Sequence, residues 1–271
     1  MGETLFQRAG RGLTLTPTGH LVKQYADEIF ALGAELAHLV RGGGASRASV
    51  LNVGIVNTIP KLITYRILRP ALESGEPLRI ACYEADLEKL LSDLAVHRLD
   101  LVISDRPIPG GFNVKAYNHG LGDSEVGFFA HKDLAARYVN GFPASLRDAP
   151  VLLPLRTTAV RRALDEWFDR LGVLPRIVAE FDDSALLKSF GAVGIGVFPA
   201  PLAIAKEVER MYEARMLGVA DGIKETYFAV SPERRLKHPA VLLITAAARE
   251  ALHRSAAGSQ QRTSSTRRRH S

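Results

Sequence analysis

Two hydrophobic periodicities meet at Gly42-Gly43-Gly44, and no single packed layer accommodates both. Before the glycines, Val22, Tyr25, Ile29, Leu32, Leu36 and Leu39 recur at alternating intervals of three and four residues. That spacing is the apolar seam of a left-handed coiled coil. Thr16-Pro17 supplies its start, a threonine N-cap with proline at the first helical position. A helix over 16–41, set between a small basic unit and a glycine hinge at 42–48, has little core of its own and is expected to self-associate. Beyond the hinge the pattern changes. Strands Val50–Ile55, Leu78–Tyr83 and Leu99–Ser104 alternate with helices Pro60–Leu72 and Asp86–Val96, an order that implies a parallel sheet covered on both faces.

A second series follows. Strands near Glu125–Phe129 and Val151–Leu153 precede helix Thr158–Leu171, strand Arg176–Phe181 and helix Ser184–Phe190. Strand Ile195–Phe198, helix Leu202–Ala214, strand Thr226–Val230 and helix Ala240–Leu252 complete it. Two α/β units in series predict two subdomains with a cleft between them, where ligands meet the carboxyl ends of the strands.

Charge adds less than it first suggests. Of the net charge of +6, four arginines (Arg262, Arg267, Arg268, Arg269) lie in a Ser/Thr/Gln-rich stretch over 256–271 that has no acid. Such a stretch is expected to be a disordered basic tail. The single cysteine, Cys82, excludes an internal disulfide and is read as a small buried hydrophobe in an apolar strand. No apolar run reaches membrane-spanning length and no signal-peptide pattern opens the chain, so a cytoplasmic protein is expected.

No catalytic constellation stands out. The eight histidines include no pair three or four apart, so no helical metal face arises. Gly194-Ile195-Gly196 resembles a dinucleotide fingerprint for two glycines only, then runs into Pro199 on a strand. The cleft is the better candidate. Strand-end turns place Asn57, Thr58, Ser104 and Asp105 from the first unit, and Thr157, Thr158, Phe198, Pro199 and Ala200 from the second, as candidate effector-binding residues. Asp105, Asp182 and Asp183 are candidate oxygen ligands for a hard cation. Asp182-Asp183 also reads as the acidic start of a helix. A small-molecule or monovalent-ion effector is expected, with no other cofactor.

Three stretches carry a family resemblance. Leu5-Phe6-Gln7-Arg8, through Arg11-Gly12-Leu13-Thr14-Leu15-Thr16 to Gly19, resembles the end of the winged helix-turn-helix of LysR-type transcriptional regulators. Leu51-Asn52-Val53-Gly54-Ile55 is similar to the opening of that family's effector domain, and Gly191 through Pro199 to a later strand and loop. Within the family, Gln24–Phe30, His97–Pro107 and Glu180–Ala192 look closest to sodium-responsive activators of Na⁺/H⁺ antiporter genes.

The resemblance implies an α/β fold in which a winged helix-turn-helix remnant (1–15) and a linker, or dimerisation, helix (16–41) precede the hinge. A periplasmic-binding-protein-like effector domain follows at 49–255, with subdomain I at about 49–122 and 223–255 and subdomain II at about 123–222. It also implies wing contacts from Arg8 and Arg11 to the DNA backbone, promoter DNA and RNA polymerase as partners, a homodimer or homotetramer, and no enzymatic activity. Met1-Gly2-Glu3-Thr4 stands where a recognition helix would be ending, so an N-terminally truncated regulator is expected, unable to select a base sequence as written. A second reading is an interaction protein that pairs with full-length subunits. A solute-binding protein or small enzyme of the same two-lobed fold is a third, disfavoured by the wing and the coiled-coil seam.

Overall fold

The computed structural model describes residues 3–9, 12–40, 49–112 and 114–252. Arg11, the hinge at 42–48 and the basic tail at 256–271 lie outside the described residues, as do the side chains of Leu32, Leu36 and Leu39. The chain divides into two compact units, Met1–Arg47 and Ala48–Ser271.

The first unit is a hairpin and a helix. Strands β1 (Phe6–Ala9) and β2 (Gly12–Leu15) pair antiparallel, with Arg8 opposite Leu13 and exposed. The hydroxyl of Thr16 accepts a hydrogen bond from the Gly19 amide at 2.9 Å and donates to the Thr4 carbonyl at 2.8 Å. Thr16 therefore caps helix α1 (Pro17–Val40), as its sequence context predicts, and ties it to the hairpin. A Cβ on Gly19 would stand 2.0 Å from the Leu5 carbonyl oxygen, so only glycine permits that approach. Val22, Tyr25 and Ile29 are exposed along α1, as are Leu21 and Phe30.

The second unit begins as the sequence implies. Strand β3 (Ser49–Val56), helix α2 (Lys61–Leu72), strand β4 (Leu78–Ala85), helix α3 (Leu87–Ala95) and strand β5 (Leu101–Ser104) alternate. β3 lies between β4 and β5, parallel to both. Leu87, Leu90, Leu91 and Leu94 form one buried face of α3, each worth about 1.5–3 kcal/mol of burial. The parallel pairing expected of these three strands holds, and beyond them the sheet turns antiparallel. Two long strands, β6 (Tyr117–His131) and β10 (Ala214–Ser231), pair antiparallel, and β10 also runs antiparallel to β5. The six-stranded order is β4-β3-β5-β10-β6-β9, with β9 at Phe198–Pro201.

Between the long strands come helix α4 (Lys132–Tyr138), strand β7 (Pro150–Pro154), helix α5 (Ala159–Leu171), strand β8 (Arg176–Phe181) and helix α6 (Ser184–Ala192). β7 and β8 pair in parallel as a separate sheet, bridged to Val197. A 3₁₀ turn (Leu202–Ile204) and helix α7 (Ala205–Met211) lead into β10, and residues 239–252 form the last helix, α8.

Several boundaries differ from expectation. The strand read at Ile195–Phe198 begins at Phe198, because Gly194 at φ +78° ends α6 in a turn. The helix read to Ala214 stops at Met211, and Ala214 already pairs with His131 in the sheet. Helix α4 had no sequence expectation. Cys82, expected to be buried, is exposed on the edge strand β4. Two buried clusters fill this unit. One gathers the faces of β3, β5, α2, α3 and α8; the other surrounds Phe128, Trp167 and Phe168, with Phe128 and Trp167 stacked at 5.7 Å. Among the described residues no helix is long and apolar enough to cross a membrane.

Candidate functional site

Strand ends and helix starts converge on one cavity of about 160 Å³. Thr58 follows β3 and Asp105 follows β5; Pro154 ends β7, and Phe181 ends β8 with Asp182 next in the chain. Thr158, Ala159 and Val160 open α5, Ser184 opens α6, and Pro199 and Pro201 belong to β9. Lys224, Glu225, Thr226 and Tyr227 line the cavity from β10. These four follow a register break between Val219 and Lys224 and precede another between Tyr227 and Phe228. Bulges of this kind re-aim side chains.

Hydrogen bonds fix the rim. Thr58 donates to Asp105 Oδ2 at 2.8 Å, while Asp105 Oδ1 is buried without a hydrogen-bond partner among the described residues, 3.5 Å from Arg106 Nη1. Thr158 caps α5 by accepting from the Arg161 amide at 3.2 Å. Arg161 is fully buried and holds the frame. It donates to Asp165 at 2.8 Å and the Pro154 carbonyl at 2.7 Å, and pairs with Glu180. Asp183 caps α6, accepting from the Ala185 and Leu186 amides at 2.6 and 2.7 Å. Lys61, at the start of α2, pairs with Glu84 and lies 4.0 Å from Asp183.

The floor is charged. Lys188, 3% exposed, donates to the Ser184 carbonyl at 2.9 Å. Burial lowers its ammonium to about 8, against the pull of Glu225 and Asp183. Burial raises the Glu225 carboxyl, offset by the Tyr227 hydroxyl, which donates to it at 2.6 Å, and by Lys188. The Tyr227 hydroxyl is itself pushed well above its ordinary value by burial and by Glu225.

The residues expected from sequence divide. Thr58, Asp105, Thr158 and Pro199 line the cavity. The other five are not among its lining residues. Asn57 ties β3 to Asp86 at 3.1 Å. Ser104 closes its own turn on Arg106, and Thr157 is exposed with its carbonyl taken by Arg162. Phe198 packs on Phe129 and Ala200 is buried in β9. Of the candidate cation ligands, Asp105 and Asp182 reach the cavity and Asp183 is engaged as a cap. Among the described residues, no three or more acidic, histidine or cysteine side chains gather as a metal site. Lys188, Glu225 and Tyr227 were not foreseen. A signal existed for the first: Ser184, Leu187, Lys188 and Gly191 share one helical face, a lysine inside an otherwise small or apolar stripe.

Comparison with known proteins supplies the wider setting. The family model for the LysR substrate binding domain matches residues 44–253. The transcriptional activator protein NhaR of Escherichia coli (strain K12) is 34% identical over 237 residues, 88% of this chain and 77% of that protein. The HTH-type transcriptional regulator CbbR of Cereibacter sphaeroides is 26% identical over 256 residues, 90% of this chain and 79% of that protein. Among solved structures, full-length CbnR complexed with its target DNA superposes with a TM-score of 0.54 at 18% identity, covering 94% of this chain and 85% of that one. A hydrogen peroxide-bound mutant of Corynebacterium glutamicum OxyR gives 0.57 at 17%, covering 97% and 84%. These structural likenesses are ones of fold.

Proposed function

The chain belongs to the LysR family of transcriptional regulators, and from that premise we propose that it controls transcription by coupling promoter binding to a small effector or ion held in the cavity described above. Its relatives are regulators, not enzymes. The observation that carries the sensing part is the cavity itself, lined at the strand ends by buried Lys188 and half-buried Glu225. A folded domain has no structural need for two opposed, poorly solvated charges lining a void.

Likeness to NhaR supports activation as the direction of control, and the sodium-responsive subgroup supports Na⁺ as a candidate effector. CbnR with its target DNA supports promoter DNA as the partner; a cytoplasmic location and RNA polymerase as the recipient of the signal complete the reading. The exposed residues of α1 support assembly through that helix. Subdomains near 49–122 with 223–255, and 123–222, rest on the order of elements; the first buried cluster crosses that division, since it includes Phe129, Leu152, Leu187 and Phe198. An occupant bound better by one arrangement of the cavity walls would shift the population toward it and change the pairing of DNA-binding units. Chromatin immunoprecipitation of the natural protein tests the regulator reading. Enrichment at a small set of promoters is expected, and recovery no higher at promoters than elsewhere would contradict it.

A further inference from the structure

Resting on that reading, the identity of the occupant can be narrowed by the cavity's own chemistry. Its walls present both signs of charge. A lysine ammonium has three donors, and Lys188 spends one on the Ser184 carbonyl. Ala159 and Val160, in the first turn of the thirteen-residue α5, line the same space, and first-turn amides have no partner within their helix. These groups suit a carboxylate. Asp105 Oδ1, buried without a hydrogen-bond partner among the described residues, and the Glu225 carboxyl suit an ammonium. Pro154, Phe181, Leu187 and Pro199 complete the wall with apolar surface.

Size and charge then favour a larger occupant than a bare ion. A volume of about 160 Å³ equals about five waters of bulk liquid, far more than a bare monovalent cation fills. A simple anion would bring a further negative charge to Asp105 and Glu225, and a simple amine a further positive charge to Lys188, which already faces Glu225 and Asp183; like charges at close range are unfavourable. We infer that the occupant is a small organic zwitterion of the amino-acid class, an ammonium and a carboxylate joined by a short apolar skeleton, its carboxylate at Lys188 and the start of α5 and its ammonium at Asp105 and Glu225.

Isothermal titration of the full chain tests this with L-alanine, L-proline and 4-aminobutyrate. Propionate and ethylammonium serve as single-charge fragments, with NaCl against choline chloride at matched ionic strength. At least one zwitterion is expected to bind saturably, at least about tenfold more tightly than either fragment. Lys188→Met should abolish that binding. So should Ala159→Trp, which fills the cavity from an exposed position and controls for any misfolding of the lysine variant. Saturable binding of NaCl alone, or of a fragment as tightly as any zwitterion, would overturn the zwitterion and leave cavity sensing standing. Zwitterion binding that survives both variants would overturn the site. Silence from every probe would overturn the inference and remove the support for the sensing reading.

Discussion

Lys188 sits in a stretch, Ser184 to Ala192, whose sequence gives an ordinary amphipathic helix, yet its side chain is buried and lines the same cavity as Glu225. Folding lowers it from 10.5 to about 8, the desolvation outweighing Glu225 and Asp183. Between those values the unfolded chain binds more protons than the folded one, so stability attributable to this group rises with pH. Wild type should therefore gain about 2 kcal/mol relative to Lys188→Met as pH climbs from about 7.5 to 10. Tyr227, raised on folding, has the opposite sign, losing stability as pH rises, and being common to both proteins it largely cancels. Urea denaturation across that range measures the difference, and a pH-independent gap would contradict the burial of a charged lysine. The rim residues Thr58, Asp105 and Thr158 were legible because they follow strand patterns or open helices. Glu225 and Tyr227 were not, because the bulges that aim them depend on β10 pairing with a strand about a hundred residues away.

At the scale of elements, α1 was read from its seam, and the structure gives it as one continuous helix whose described seam residues, Val22, Tyr25 and Ile29, are exposed. Ile29 is 68% exposed and Tyr25 47%. Leaving such a stripe in water forfeits burial of about 25 cal/mol per Å², which a second copy would recover. Ile29→Glu should weaken self-association at least about tenfold in sedimentation equilibrium, while thermal melting of the second unit stays unchanged. Unaltered association would assign assembly to another surface. The helices α2, α3, α5 and α6 were legible to within about two residues, since capping residues such as Thr158 and Asp183 mark their starts locally. The long strands were not. Gly120 and Gly122 in β6, and the break between Val219 and Lys224 in β10, interrupt the alternation that would reveal them. Only the apolar pieces, Glu125–Phe129 and Thr226–Val230, read as strands.

For the whole molecule, two kinds of information meet. The order of elements after the glycines implied an α/β fold with ligands at strand ends, and the cavity lies there. The parallel pairing read for the first three strands holds, and the antiparallel part was not foreseen because β10 returns between β5 and β6 and pairs antiparallel with both. Family membership supplies transcriptional control, and the proposed effector would occupy the cavity. Their connection is the central claim, and RNA sequencing tests it most directly in a strain lacking the gene, complemented with wild type or Ala159→Trp and grown in media of differing salt and amino-acid content. Wild type should restore a small regulon whose expression varies with the medium. The filled-cavity variant should restore the same regulon at a level that no longer varies. A regulon that responds to the medium identically with both proteins would contradict the account.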